Sequence, residues 1–100
     1  MKFYRYEDVK ISNLGVQIQL REFKLHKETP KGYWISYNWS NDKDKWVSKN
    51  GKNRFAYPTK EEALHNFRCR KERQVSILTA RLNDAIWARS LAEKESENVT

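Results

Sequence analysis

Lys45-Trp-Val-Ser-Lys-Asn-Gly-Lys-Asn-Arg-Phe-Ala-Tyr-Pro-Thr-Lys-Glu-Glu-Ala63 is the stretch that decides the expected fold. Asn50-Gly51 lies between two short apolar–polar runs, and both residue types tolerate φ > 0. The dipeptide therefore predicts a two-residue type I′ hairpin turn. Such a turn pairs Lys49 with Lys52, Ser48 with Asn53, Val47 with Arg54 and Trp46 with Phe55. The second run then meets Tyr57-Pro-Thr-Lys-Glu-Glu62. Here Thr59 can cap a helix through its hydroxyl, and Glu62 can reach back to the N–H of the cap. A hairpin followed almost at once by a helix is the expectation, with Lys45, Lys49, Lys52 and Arg54 at the joint. Like charges directly opposed are unfavourable, so Lys49 and Lys52 are expected to spread into an exposed cationic knuckle.

Upstream, Phe3 to Val9 reads as a strand, Ile11 to Gly15 as a connector, and Val16 to Leu20 as a half-buried strand with clean alternation. The alternation slips between Leu20 and Phe23, which predicts a bulge near Arg21-Glu22. Thr29-Pro-Lys-Gly32 is a turn in which Pro presets φ and Gly supplies freedom. Tyr33 to Trp39 follows as a strand with Tyr33, Ile35, Tyr37 and Trp39 on one face, and Trp34, Ser36 and Asn38 on the other. Ser40 to Asp44 is a polar loop.

Downstream, no Gly or Pro occurs from Lys60 to about Glu93, and helix formers dominate. Leu64, Phe67, Val75, Leu78, Leu82, Ala85 and Ile86 fall on one helical stripe, interrupted by Lys71. A helix of roughly 50 Å is too long to lie wholly on one small sheet. Its second half, with Ile77 and Trp87 outside the stripe, needs the N-terminal strand, a partner helix or a second copy to cover it. Leu78, Leu82, Ile86 and Trp87 are therefore candidate interface residues, and a homodimer through this helix stands beside coverage within one chain. The fold class expected is α+β, an antiparallel sheet of four to five strands followed by one long C-terminal helix. Residues 1–93 form the expected single domain, with 94–100 a frayed polar tail.

The chain has 100 residues, 20 Lys+Arg against 13 Asp+Glu, and a formal charge of +7. Such a field favours anionic partners, namely nucleic acid, an acidic protein face or an anionic membrane. Thirteen aromatic residues, four of them Trp, offset the modest size of the core. A lone Cys69 excludes an internal disulfide framework and suits a reducing compartment. The charged N-terminus lacks the apolar run of a signal peptide, and no segment approaches the ~20 apolar residues of a membrane span. A cytoplasmic protein is expected, with no membrane partner.

Candidate chemistry is sparse. His65 and Cys69 stand one helical turn apart with Glu72 near the same face, but a structural zinc site usually needs four ligands. No metal, cofactor or catalytic residue is assigned. The sequence holds no glycine-rich phosphate loop, Gly-x-Ser-x-Gly elbow or His-Glu-x-x-His, so a non-enzymatic protein is expected. Two groupings remain. Trp34, Trp39 and Trp46 with Lys45, Lys49, Lys52 and Arg54 interleave aromatics and cations, which suits base stacking, phosphate contact or a protein hot spot. Arg68-Cys-Arg-Lys-Glu-Arg73 turns through more than a full circle of helix, so only Arg70 and Arg73 point away from the apolar stripe.

From Gly32 to Arg73, strands bearing Trp46 and Phe55 followed by Tyr57-Pro-Thr-Lys-Glu-Glu-Ala-Leu64 resemble the sheet-then-helix plan of AP2-like and integrase arm-type DNA-binding domains. That resemblance implies a three-stranded sheet reading the major groove, braced by a helix. The added N-terminal strands and the long second half of the helix depart from it. More broadly, Met1-Lys-Phe-Tyr-Arg-Tyr6, Leu25-His-Lys-Glu-Thr-Pro-Lys-Gly-Tyr-Trp34, Trp46-Val-Ser-Lys49 and Ala56-Tyr-Pro-Thr-Lys-Glu-Glu-Ala63 resemble small accessory proteins of tailed bacteriophages. This implies a protein that acts without catalysis by binding a host or defence machine. Taken with the charge of +7 and the cationic hairpin, the expectation is a protein that binds and modulates, by inhibition, a host or anti-phage defence complex that handles nucleic acid. The alternative is direct DNA or RNA binding through a basic, aromatic three-stranded sheet.

Overall fold

Four antiparallel strands in sequential order precede one helix in the computed structural model, which describes residues 1–39, 45–51 and 53–99. They are β1 (Lys2–Ile11), β2 (Gly15–Glu28), β3 (Gly32–Tyr37), β4 (Lys45–Ser48) and α1 (Lys60–Val99). This is the expected α+β arrangement with four strands. The expected Ser40–Asp44 loop and Lys52 lie outside the described residues. The chain divides into two compact units, Met1–Arg68 and Cys69–Thr100, where the sequence suggests one domain over 1–93. α1 runs to Val99, past the point near Lys94 where fraying is expected.

The β1–β2 register is continuous from Ile11↔Gly15 to Lys2↔Lys24, so the bulge expected at Arg21-Glu22 is not there. The irregularity falls instead between Leu25 and Lys27, where β2 pairs with β3. The slip in alternation has another cause. Val16, Ile18 and Leu20 share a sheet face with Tyr6, whereas Phe23 and Leu25 share the opposite face with Phe3. β3 pairs only with the Phe23–Glu28 part of β2. The preceding part of β2 pairs with β1 alone, as a two-stranded ribbon on which Val16 and Ile18 are exposed. At the ribbon tip the Leu14 N–H donates to the Ile11 carbonyl at 3.0 Å, and Gly15 closes the loop at φ 74°. A left-handed glycine in that place is the common ending of a three-residue hairpin loop.

One sheet face carries the core. Phe3, Phe23, Ile35, Val47 and Ala56 are fully buried, with Leu25, Tyr33, Tyr37 and Phe55 packed against them. Full burial of the Phe, Ile and Val side chains contributes roughly 1.5–3 kcal/mol each. Gly32 sits where a Cβ would meet the Val47 carbonyl and come within 2.6 Å of the Trp46 ring. Space, and not a positive φ, is what demands glycine there.

The Asn50-Gly51 hairpin does not form. Neither residue has φ > 0, and residues 53–56 are not a strand. The Ser48 Oγ accepts from the Asn50 and Gly51 N–H groups at 3.3 and 3.1 Å. That side-chain-supported turn competes with the primed one. The chain then leaves β4 for the free edge of β1, where Tyr57 exchanges two backbone hydrogen bonds with Tyr4 at 2.7 and 2.9 Å. The Phe55 ring reaches Phe23 at 5.4 Å between centroids. Closing over the core buries Ala56 and satisfies β1 backbone groups, which a Lys49–Lys52 hairpin would not do.

The helix start follows its local signal. The Glu62 N–H donates to Thr59 Oγ1 at 3.2 Å, and Glu61 and Glu62 lie in the first turn, favourable to the helix dipole. Within the first unit, Ala63 and Phe67 are buried, and Phe67 lies 6.4 Å from the Tyr6 ring. The second unit is helical through Val99, and Val75, Ile77, Leu78, Leu82, Ile86, Trp87 and Leu91 on it are exposed. No helix among the described residues is long and apolar enough to cross a membrane.

Candidate binding surface

Alternation along β4 separates residues that the sequence groups together. Trp46 pairs directly with Trp34, their rings 5.1 Å apart, on the face away from the core. Lys45 pairs with Ile35 and lies on the core face, its Nζ 5.3 Å above the Phe55 ring. Lys49 is no free knuckle. Its Nζ donates to Glu28 Oε2 at 2.7 Å and stands 5.2 Å from the Tyr33 ring. The bond to Glu28 pushes its pKa up, so Lys49 stays charged and held. Arg54 Nε donates to the Gly51 carbonyl at 3.1 Å, and the guanidinium lies 5.5 Å from the Tyr57 ring. Arg70 and Arg73, with Leu78, Leu82, Ile86 and Trp87, belong to the second unit.

The core face opens at the end of β3 into a ladder of aromatic rings. Phe55 lies 5.4 Å from Phe23, Phe23 lies 4.9 Å from Tyr37, and Tyr37 stacks on Trp39 at 5.4 Å with planes 9° apart. The ladder passes from full burial at Phe23 to 83 % exposure at Trp39. β3 ends at Tyr37, two residues before the expected end, which leaves Trp39 in a turn. A large ring fixed by a stacked neighbour is pre-organised for contact, because little side-chain freedom remains to be lost.

Cations rim this ladder. Arg5 and Arg21 are direct cross-strand partners, an arrangement of like charges that is unfavourable by itself. Glu7, two residues along β1 from Arg5 and thus on the same face, resolves it. Arg5 Nε donates to Glu7 Oε1 at 3.1 Å, and Arg21 Nε donates to Oε2 at 2.7 Å. Burial pushes the Glu7 pKa up, but the hydrogen bonds and charges of Arg21 and Arg5 outweigh it and hold the carboxyl below its ordinary range. The same bond and charge from Glu7 raise the Arg21 pKa. Arg5 also donates through Nη1 to the Phe55 carbonyl at 2.8 Å, and its guanidinium lies 4.5 Å from the Phe55 ring. That contact ties the crossing segment to β1.

Of this cluster only Lys45 and Trp39 stand out in the sequence, whereas Arg5, Glu7, Arg21, Tyr37 and Phe55 are brought together by the fold. Alternation places Arg5 and Glu7 beside Phe3, so half of the signal is in β1. The other half is the β1–β2 register, which no local pattern specifies. Among the described residues no group of three or more His, Cys, Asp or Glu is placed to hold a metal ion. What this surface offers chemically is the open ring of Trp39 stacked on Tyr37, at one end of a ladder whose Phe55 end carries Arg5 and Lys45, suited to binding an aromatic or a base. Compared with protein-family models, curated proteins and solved structures, the chain matches none.

Proposed function

We propose that this is a non-enzymatic accessory protein of the tailed-bacteriophage type, which binds and inhibits a host or anti-phage defence complex that handles nucleic acid. The observation that carries this reading is Trp39, 83 % exposed and stacked on Tyr37. Protein hot spots concentrate in Trp, Tyr and Arg seated at a packed centre. Arg5 and Arg21 are already committed to Glu7 and the Phe55 carbonyl. They orient a partner's polar groups more readily than they neutralise a run of phosphates. The charge of +7 supports attraction to an acidic partner face.

Direct binding of DNA or RNA is the second reading, favoured by the same π-face, on which a base can stack. Affinity capture from bacterial host lysate, with and without nuclease, separates the two. A defined complex retained after nuclease and lost with Trp39→Ala is expected. Recovery of nucleic acid alone, with a steep fall of log affinity against log salt, overturns the protein-binding reading.

A further inference from the structure

The exposed face of the second unit is complementary to itself when reversed. Val75, Leu78, Leu82 and Ile86 are 63, 50, 60 and 41 % exposed along one helical stripe. Two charged residues stand in line with it, Lys71 and Glu93, each eleven residues from Leu82. Eleven residues turn through close to three full turns, so all three positions share one face, about 16 Å apart along the axis. Leu78 and Ile86 flank Leu82 at four residues on either side. The ends of the unit also differ in charge. From 69 to 82 the basic residues are Arg70, Lys71, Arg73 and Arg81 against Glu72 alone. From 83 to 99, Asp84, Glu93, Glu95 and Glu97 outnumber Arg89 and Lys94.

We infer that residues 69–99 pair with a second copy of this chain in antiparallel orientation, with Leu82 on the two-fold axis. In that register Leu82 packs on Leu82, Leu78 on Ile86, and Lys71 meets Glu93 at both ends. Each basic end faces an acidic one. Val75 lies opposite Arg89, whose aliphatic stem covers it while the guanidinium reaches solvent. A parallel pair opposes Lys71 to Lys71 and Glu93 to Glu93, which the charge pattern disfavours. An isologous interface of this kind closes at two chains. It does not depend on the identity of the proposed target.

Sedimentation equilibrium of the full chain tests this. A dimer is expected at micromolar concentration. Lys71→Glu and Glu93→Lys should each weaken it by about tenfold, because two ion pairs are lost and replaced by repulsions. The double variant should return to within about twofold of the parent. As an independent reading of orientation in a Cys69→Ser background, Leu78→Cys/Ile86→Cys should cross-link on mild oxidation, whereas Leu78→Cys alone should not. A monomer up to about 100 μM, failure of the double charge reversal to recover, or cross-linking by Leu78→Cys alone overturns the proposal.

Discussion

At the start of α1, Ala63 and Phe67 are buried and Phe67 lies against Tyr6, whereas from Val75 to Leu91 every large apolar residue of the same helix is exposed. Both stretches read alike in sequence, as apolar residues at helical spacing in a run of good helix formers. The difference teaches what periodicity can and cannot specify. It predicts that a segment is helical, because the backbone conformation follows from local preference and spacing. It does not say what covers the apolar face. Long helices draw most of their stability from packing, so an uncovered stretch of α1 is the part most open to a partner.

Substitutions in the two regions sharpen that contrast. Phe23→Ala removes a fully buried ring that touches Tyr37 and Phe55 and should cost about 3–5 kcal/mol. A chemical denaturation curve measures it, and a loss below 1 kcal/mol would break the assignment of the core to this face. Gly32→Ala should cost about 1–3 kcal/mol, since the new methyl meets the Val47 carbonyl and the Trp46 ring. The same curve checks it, and an unchanged midpoint would show that β3 and β4 can part without cost. Thr59→Ala should cost about 1 kcal/mol through the lost cap on the Glu62 N–H. Helicity by circular dichroism should fall mainly through the first turn.

Acid should act on the first region through Glu7. Its pKa is lower in the folded chain than in the unfolded one, so the unfolded state binds the proton more readily. The stability that Glu7 adds is therefore complete above the ordinary glutamate range and is lost as pH falls through the lowered folded value. Because the group is part-exposed, the loss should be modest. Comparing denaturation of Glu7→Gln with the parent between neutral and acid pH checks this, as the two curves should converge in acid. The smallest effect belongs to the second region. Leu82→Ala should change monomer stability by less than about 0.5 kcal/mol, measured by thermal melting below the concentration of self-association.

Legibility followed the range of the interaction. The cap at Thr59 and the turn at Thr29–Gly32 were readable because their hydrogen bonds span three residues. The Asn50-Gly51 turn misled because its local preference lost to a distant one. Closing on Tyr4 joins residues 53 positions away and buries Ala56 at the same time. The irregularity in β2 was misplaced for a related reason. The apolar residues change sheet faces between the ribbon and the four-stranded part, and from sequence alone such a change looks like an inserted residue. Trp39 was visible as an aromatic of the right parity, but its exposure depended on β3 ending at Tyr37.

By itself the sequence determined the order of the first four strands and the helix, the period change at Thr59 and the basic charge, since each depends on near neighbours or on composition. Only the tertiary structure decided which strand edge Tyr57 joins, that Glu7 bridges Arg5 and Arg21, that Lys49 is held by Glu28, and that Trp39 lies open on Tyr37. Those contacts link residues far apart in the chain. They depend on strand register and on closure of the crossing segment over the core, which arise from packing the whole sheet at once.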